Sequence, residues 1–293
     1  MPMETIESTL ARVQGEIPAL APLAAAFGPL LIARSLRRQS APGWQGELPP
    51  FDAESFSAGR PLLPEADFQC PAEGLLEAVQ ALIPLLRSSF PGLAGELTLL
   101  AAAVASGGIA PGALWAAAFD GDAVVEGVEP QTLALVAAEA ARPFVARQAE
   151  DLLARASELS WPGAACPVCG GAPHMSVLRK LDGGDEFITA HGGKRFLRCS
   201  CCASEWTYKR VSCPACGCEE PEDLTVLYDS ARPFERADAC TRCKSFLLCL
   251  DGVELVAVPQ ADAAALVMAP LEAKAVGQGF RPLATHVWSG LVT

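Results

Sequence analysis

No lysine occurs before Lys180, and the whole chain of 293 residues sets 22 lysines and arginines against 34 aspartates and glutamates, a net charge of −12. A nucleic-acid binder needs a basic face to neutralise phosphates. Residues 1–160 carry 9 basic and 19 acidic side chains, and residues 161–260 carry 11 and 13. Neither stretch promises such a face, so a nucleic-acid partner is not expected. Histidine is scarce, at 3 residues. No Ser–His–Asp grouping, paired-carboxylate motif or nucleotide-binding glycine fingerprint can be placed. Long apolar runs are missing too. The best candidate, Ala19 to Ala33, is 15 residues long and interrupted by Pro22 and Pro29, short of the ~20 residues a spanning helix needs. Membrane insertion is therefore not expected. The opening Met1-Pro-Met-Glu-Thr-Ile-Glu is acidic, with no basic stretch before an apolar core, so no secretory signal is read and a cytoplasmic location is expected.

What the chain does have is cysteine. Eight of its 12 cysteines form four Cys-x-x-Cys pairs: Cys166/Cys169, Cys199/Cys202, Cys213/Cys216 and Cys240/Cys243. Each pair supplies two sulfur ligands from one tight turn. Two read Cys-Pro-x-Cys-Gly, where Gly170 and Gly217 permit the positive φ that lets backbone N–H groups aim at sulfur. Eight thiols suffice for two four-sulfur sites. Disulfides require an oxidising compartment, and four regularly spaced pairs are unlike isolated buried thiols, so two metal ions are the favoured reading. A tetrahedral all-sulfur site suits zinc or a single iron, and spacing does not separate them.

The pairs combine in three ways. In the tandem arrangement Cys166/Cys169 joins Cys199/Cys202 across 29 residues, and Cys213/Cys216 joins Cys240/Cys243 across 23. Each half then has one layout: a Cys-Pro-x-Cys-Gly turn, strand-like residues and a plain Cys-x-x-Cys turn. Tandem is preferred over interleaving or over joining the middle pairs. His174 and His191 lie within the first loop as candidate replacement ligands, but four thiols are already present. Cys201, Cys218 and Cys249 are spare thiols near the sites, and Cys70 stands alone as a packing residue. Trp206 is read as a cover over the first cluster.

The fold class expected is α+β. An all-α domain spans residues 1–160. Two four-cysteine, rubredoxin-like or zinc-ribbon modules with short antiparallel strands follow at 161–210 and 211–260, then a C-terminal helix and tail at 261–293. Helices are read at Met3 to Val13, Pro18 to Arg38, Pro71 to Leu86, Leu93 to Ala105, Pro111 to Phe119 and Pro130 to Leu159 from apolar residues at helical spacing. Leu93 to Ala105, apolar nearly all round, is expected at the centre of the core. Arg34, Arg37 and Arg38 are expected to offset a helix C-terminal dipole. Residues 40–71 read as an extended arm anchored on helices by Trp44, Phe51 and Phe56. Asp120 and Asp122 lie in a turn that lacks the remaining calcium ligands. Strands are expected at His174 to Leu181, Glu186 to Ala190 after a turn at Asp182-Gly-Gly184, Glu205 to Lys209, Leu224 to Tyr228, Phe246 to Leu250 and Val253 to Val258. Asp262 to Val276 reads as a helix interrupted near Pro270.

Cys166-Pro-Val-Cys169, Cys199-Ser-Cys-Cys-Ala-Ser-Glu-Trp206, Arg210-Val-Ser-Cys-Pro-Ala-Cys-Gly217 and Arg236-Ala-Asp-Ala-Cys-Thr-Arg-Cys243 together resemble the formate dehydrogenase accessory protein (FdhE) family. The likeness is specific over about residues 160–250 and looser at both ends. The extra thiol Cys201 is a local variation, and Asp238 stands where family members often have Glu. The resemblance implies a cytoplasmic, non-enzymatic accessory protein. It would contact the catalytic subunit of respiratory formate dehydrogenase before export, with iron favoured in its clusters and zinc as alternative. Two other readings compete: a zinc-ribbon nucleic-acid module, disfavoured by charge, and a dithiol redox protein, which needs accessible thiols of lowered pKa that metal ligation would occupy. Oligomeric state is left open.

Overall fold

The structure, a computed structural model, describes residues 4–64, 67–119, 121–180 and 193–289. Asp120, the turn at 182–184, the expected strand at 186–190 and His191 lie outside the described residues.

The N-terminal half is helical: α1 (Ile6–Glu16), α2 (Ala21–Ser40), the short α3 (Ala53–Ser57), α4 (Ala72–Ser89), α5 (Ala94–Ser106), α6 (Pro111–Ala117) and α7 (Pro130–Ala154). Prolines open α6 and α7, where a missing N–H costs nothing. The central position belongs to α7, fourteen of whose 25 residues are buried. The expectation that Leu93 to Ala105 forms the central helix is corrected. In α5 only Leu97, Leu100 and Val104 are buried, and Leu99 is 47% exposed. Alanine looks apolar in sequence but removes little surface from water, so an alanine-rich helix tolerates the periphery. The segment Pro18–Ser40 is, by length and composition alone, apolar enough to cross a membrane. Here Phe27, Leu30 and Leu31 of α2 are buried in the core, and its arginines reach across helices. Arg34 meets Glu139, Arg37 meets Glu77 and Arg38 meets Glu150. Arg37 and Arg38 also lie in the last turn of α2, where they offset its dipole as expected, and the cross-helix pairs give them a second use.

The C-terminal half is one sheet: β1 (Pro173–Arg179), β2 (Lys194–Cys199), β3 (Glu205–Tyr208), β4 (Leu224–Asp229), β5 (Arg232–Cys240), β6 (Ser245–Asp251) and β7 (Arg281–Pro282), closed by α8 (Ala261–Val267) and α9 (Ala269–Gly277). The strand order is β3-β2-β1-β6-β5-β4, with β7 beside β6. Each cysteine half contributes an antiparallel three-stranded meander. The two meanders meet where β1 and β6 pair in parallel, Met175 opposite Leu248 through Leu178 opposite Asp251. Arg195 ties them further. It is only 2% exposed, donates to Ser212 C=O at 3.0 Å and pairs with Asp238 of β5 at 3.2 Å. β5 was not anticipated, because its Arg-Pro-Phe-Glu-Arg opening reads as polar loop. The strand expected at Val253 to Val258 is irregular instead. β6 already has β1 and β5 on its two sides, the chain leaves the sheet at Gly252, and Val256 is 88% exposed. Without a free edge to pair with, β-propensity decides nothing.

One hydrophobic cluster runs from Ile6 through α7 and the first cysteine group to Trp288. The arm at 40–71 joins the halves. Phe56 is buried against Trp161, with ring centroids 4.9 Å apart, and the Leu62 and Leu63 N–H groups donate to the Pro167 and Val168 carbonyls inside the first cysteine turn. The arm therefore lands on the first cysteine module as well as on helices.

Candidate metal centres

Each cysteine pair sits on a short turn at a strand end. Cys166/Cys169 precedes β1, and Cys199/Cys202 links β2 to β3. Cys213/Cys216 leads into a single 3₁₀ turn at Pro221–Asp223 and then β4, and Cys240/Cys243 links β5 to β6. The turns share one backbone design. Gly170 N–H donates to Cys166 C=O at 2.9 Å and Gly217 N–H to Cys213 C=O at 2.8 Å. The residue after the second cysteine is left-handed in all four: Gly170 (φ 79°), Ala203 (58°), Gly217 (72°) and Lys244 (58°). That twist turns backbone N–H groups toward sulfur. Val168 N–H points to Cys166 Sγ and Cys201 N–H to Cys199 Sγ, each at 3.4 Å.

Among the described residues the eight sulfurs gather as Cys166, Cys169, Cys199, Cys202 and as Cys213, Cys216, Cys240, Cys243, each set within 4.8 Å of one another. This is the tandem arrangement. Cys166–Cys202 and Cys169–Cys199 are 3.5 Å apart, Cys213–Cys243 3.6 Å and Cys216–Cys240 3.8 Å. A tetrahedron with metal–sulfur bonds of ~2.3 Å has edges of about 3.8 Å, so both sets fit a four-coordinate cation. They are far longer than a disulfide bond of ~2.0 Å. Protons are shared unequally among thiols this close. Burial pushes Cys166 well above the ordinary thiol range. At Cys202 burial acts the same way, but hydrogen bonds from Cys166, Cys169, Cys199 and Ser204 outweigh it and hold the thiol well below. Burial lifts Cys213 to about 12. At Cys243 burial is outweighed by Ser245, Cys216 and Cys213, and the thiol falls to about 7. Each set thus holds one thiol ready to ionise first, the form that binds a cation.

The two sets differ in exposure. All four sulfur residues of the first are buried in the main core. In the second, Cys216 is exposed and Cys243 half-buried, and Cys213, Cys218 and Cys240 form a small cluster of their own. Trp206 is buried in the main core beside the first set and donates Nε1–H to Gly163 C=O at 3.2 Å. The spare thiols complete neither set, although Cys201 sits in the first set's own turn and Cys218 packs against Cys213 and Cys240. Cys218 faces Asp223 at 3.7 Å, and buried Cys249 is 3.5 Å from Arg236 Nη2. Cys70 reaches only Pro111 C=O, at 3.8 Å.

His174 joins no sulfur set. Its Nδ1 lies 2.9 Å from His286 Nε2, and His286 stacks on Trp288 at 4.7 Å. Beside these rings is a group that sequence reasoning missed. Arg34 bridges Glu139 (2.5 Å) and Asp262 (3.8 Å), Arg142 meets Glu139 (3.0 Å), and Arg198 meets Asp262 and Glu205 (3.4 Å each). Burial works against the charges of Glu139 and Asp262, yet the surrounding arginines hold both carboxyls below their ordinary range. The contributing residues come from α2, α7, β2, β3, α8 and the segment after β7, so no local motif could announce them.

A helical half packed on a sheet that carries two four-cysteine, zinc-ribbon-like clusters defines a double-cluster metal-binding protein. Comparison with known proteins supports the FdhE family, and residues 165–210 match its model for "FdhE, central domain". A curated FdhE homolog of Aquifex aeolicus (strain VF5) is 32% identical over 113 residues, 38% of this chain and 38% of that protein. One of Yersinia pestis (strain Pestoides F) is 36% identical over 118 residues, 39% of this chain and 34% of that protein. The chain thus spans about a third of the length of the curated relatives it matches. The crystal structure of the FdhE protein from Pseudomonas aeruginosa shares the fold, with a TM-score of 0.61 over 96% of this chain and 93% of the other, at 20% identity.

Proposed function

We propose that the chain is an accessory protein for formate dehydrogenase: a non-enzymatic chaperone that holds two metal ions and binds the enzyme's catalytic subunit in the cytoplasm before export. The observation that carries this reading is the gathering of eight thiols into two close sets of four, one of them on the stretch that matches the FdhE central domain. Cys166, Cys169, Cys199 and Cys202 would hold one ion, and Cys213, Cys216, Cys240 and Cys243 the other. A bound ion supplies cross-links that fix strands too short to bury a core of their own, and iron would add a one-electron couple. Iron is favoured on the family resemblance, with zinc as the alternative. In this reading residues 1–160 supply the contact surface for the client. The modules at 161–210 and 211–260 supply a stiff platform, and residues 261–293 close the junction between them.

Pull-down of the catalytic subunit by the intact chain tests the proposal. Cys213→Ser or Cys240→Ser, which dismantle the exposed cluster, are expected to abolish capture. Failure of the intact, metal-loaded chain to retain the subunit contradicts the proposal.

A further inference from the structure

Between α2, α7, the Cys199–Cys202 turn and the segment after β7 lies a cavity of about 70 Å³. By the same measure a single water needs ~10–15 Å³, so the space suits an ion of a few heavy atoms. Four arginines line it, Arg34, Arg38, Arg142 and Arg198, with one carboxylate, Asp262. The other carboxylates that pair with these arginines, Glu139, Glu150 and Glu205, do not line it. A guanidinium carries five N–H donors in a fixed fork. The carboxylates present leave some unused: Nε of Arg34 and Nε of Arg198 are buried with no hydrogen-bond partner. His174 adds no anion to the wall. Burial, His286, Arg198 and Arg142 keep its ring neutral against the pull of Asp262. Pro143, Ala146 and Trp288 form an apolar side that keeps bulk water from screening the charges.

We propose that this cavity binds a small oxyanion, a phosphate or carboxylate group, gripped by Arg34, Arg142 and Arg198 with Arg38 at the rim, at the junction between the helical half and the first cysteine cluster. Arginine suits this task because its fork matches both oxyanions with two parallel, charge-assisted hydrogen bonds. Arg195 and Arg236 also hold a buried, unpartnered Nε in ion pairs away from this cavity; what sets Arg34 and Arg198 apart is that theirs sit on side chains lining a cavity with two further arginines. The Cys199–Ser200–Cys201 stretch also lines the site, so a bound anion would lie against the turn that carries Cys199, one thiol of the first cluster. The inference does not depend on the client or on the identity of the metal.

Isothermal titration of the metal-loaded full chain with inorganic phosphate, and separately with acetate, tests it. Saturable one-to-one binding is expected in at least one arm. Phosphate alone would mark a tetrahedral ligand and acetate alone a planar one. Arg142→Gln is expected to weaken binding about tenfold or more, the loss of one charge-assisted contact. Arg87→Gln, on the last turn of α4 and outside the cavity, should bind as the native chain does. Arg38→Gln gives a second reading from the more exposed rim if Arg142→Gln fails to fold. No saturable heat with either anion at millimolar concentration overturns the proposal. So does undiminished binding by a folded Arg142→Gln or Arg38→Gln chain.

Discussion

Ala203 and Lys244 occupy the left-handed positions that glycine holds in the other two cysteine turns. A side chain there costs roughly 1–2 kcal/mol, and glycine gives back about half of that through its freer unfolded chain. Ala203→Gly and Lys244→Gly are therefore each expected to stabilise the fold by about 0.5–1 kcal/mol, read as a raised denaturant midpoint with unchanged slope. Glu235 makes a second test at this scale. Burial raises its carboxyl to about 7 despite the Arg232 partner. A raised folded pKa contributes stability below the unfolded value of about 4.3, and that contribution is lost as pH climbs through 7. Unfolding experiments should find the native chain less stable at about pH 8 than at about pH 5, with the difference reduced in Glu235→Gln. Equal pH dependence in both would remove Glu235 as its source.

At the scale of elements, the cysteine turns were legible in the sequence because metal-ligand spacing is written in neighbouring residues. Amphipathic helices such as α4 were legible because Leu75, Val79, Leu82, Ile83 and Leu86 repeat on one face. What was not legible depended on partners. β5 is a strand because β4 and β6 flank it, with small Ala237 and Ala239 buried between them. Residues 253–257 have strand-forming side chains but join no strand among the described residues, and Val258 makes only a single bridge, accepting from Glu4 N–H. The arginine cavity and the burial of Trp288, 2% exposed, follow from elements far apart in the chain meeting at one junction. The clusters themselves differ at this scale. The first is sealed in the main core, whereas the second presents Cys216 to solvent. Graded chelation of the metal-loaded protein should remove the second ion first, and alkylation coupled to peptide mapping should label Cys216 before any thiol of the first set. Simultaneous loss of both ions would contradict the exposure difference.

For the whole molecule, the main core is continuous from α1 to the residues beyond β7 and includes the first cysteine set. The arm at 40–71 and the buried Arg195 bind neighbouring parts together. With an ion bound, the first set would cross-link the core, and the second would brace a tip of the same sheet. An acidic chain with such a braced end would suit the proposed accessory role, in which it presents a surface to another protein. Everything at this scale rests on two four-thiolate ions. Metal analysis with an absorption spectrum, on anaerobically purified protein, tests that directly. The account predicts two metal atoms per chain, falling to one in Cys216→Ser, with a red colour for ferric iron or none for zinc. Fewer than one atom per chain, or all eight sulfurs freely alkylated in the freshly purified native protein, would contradict it.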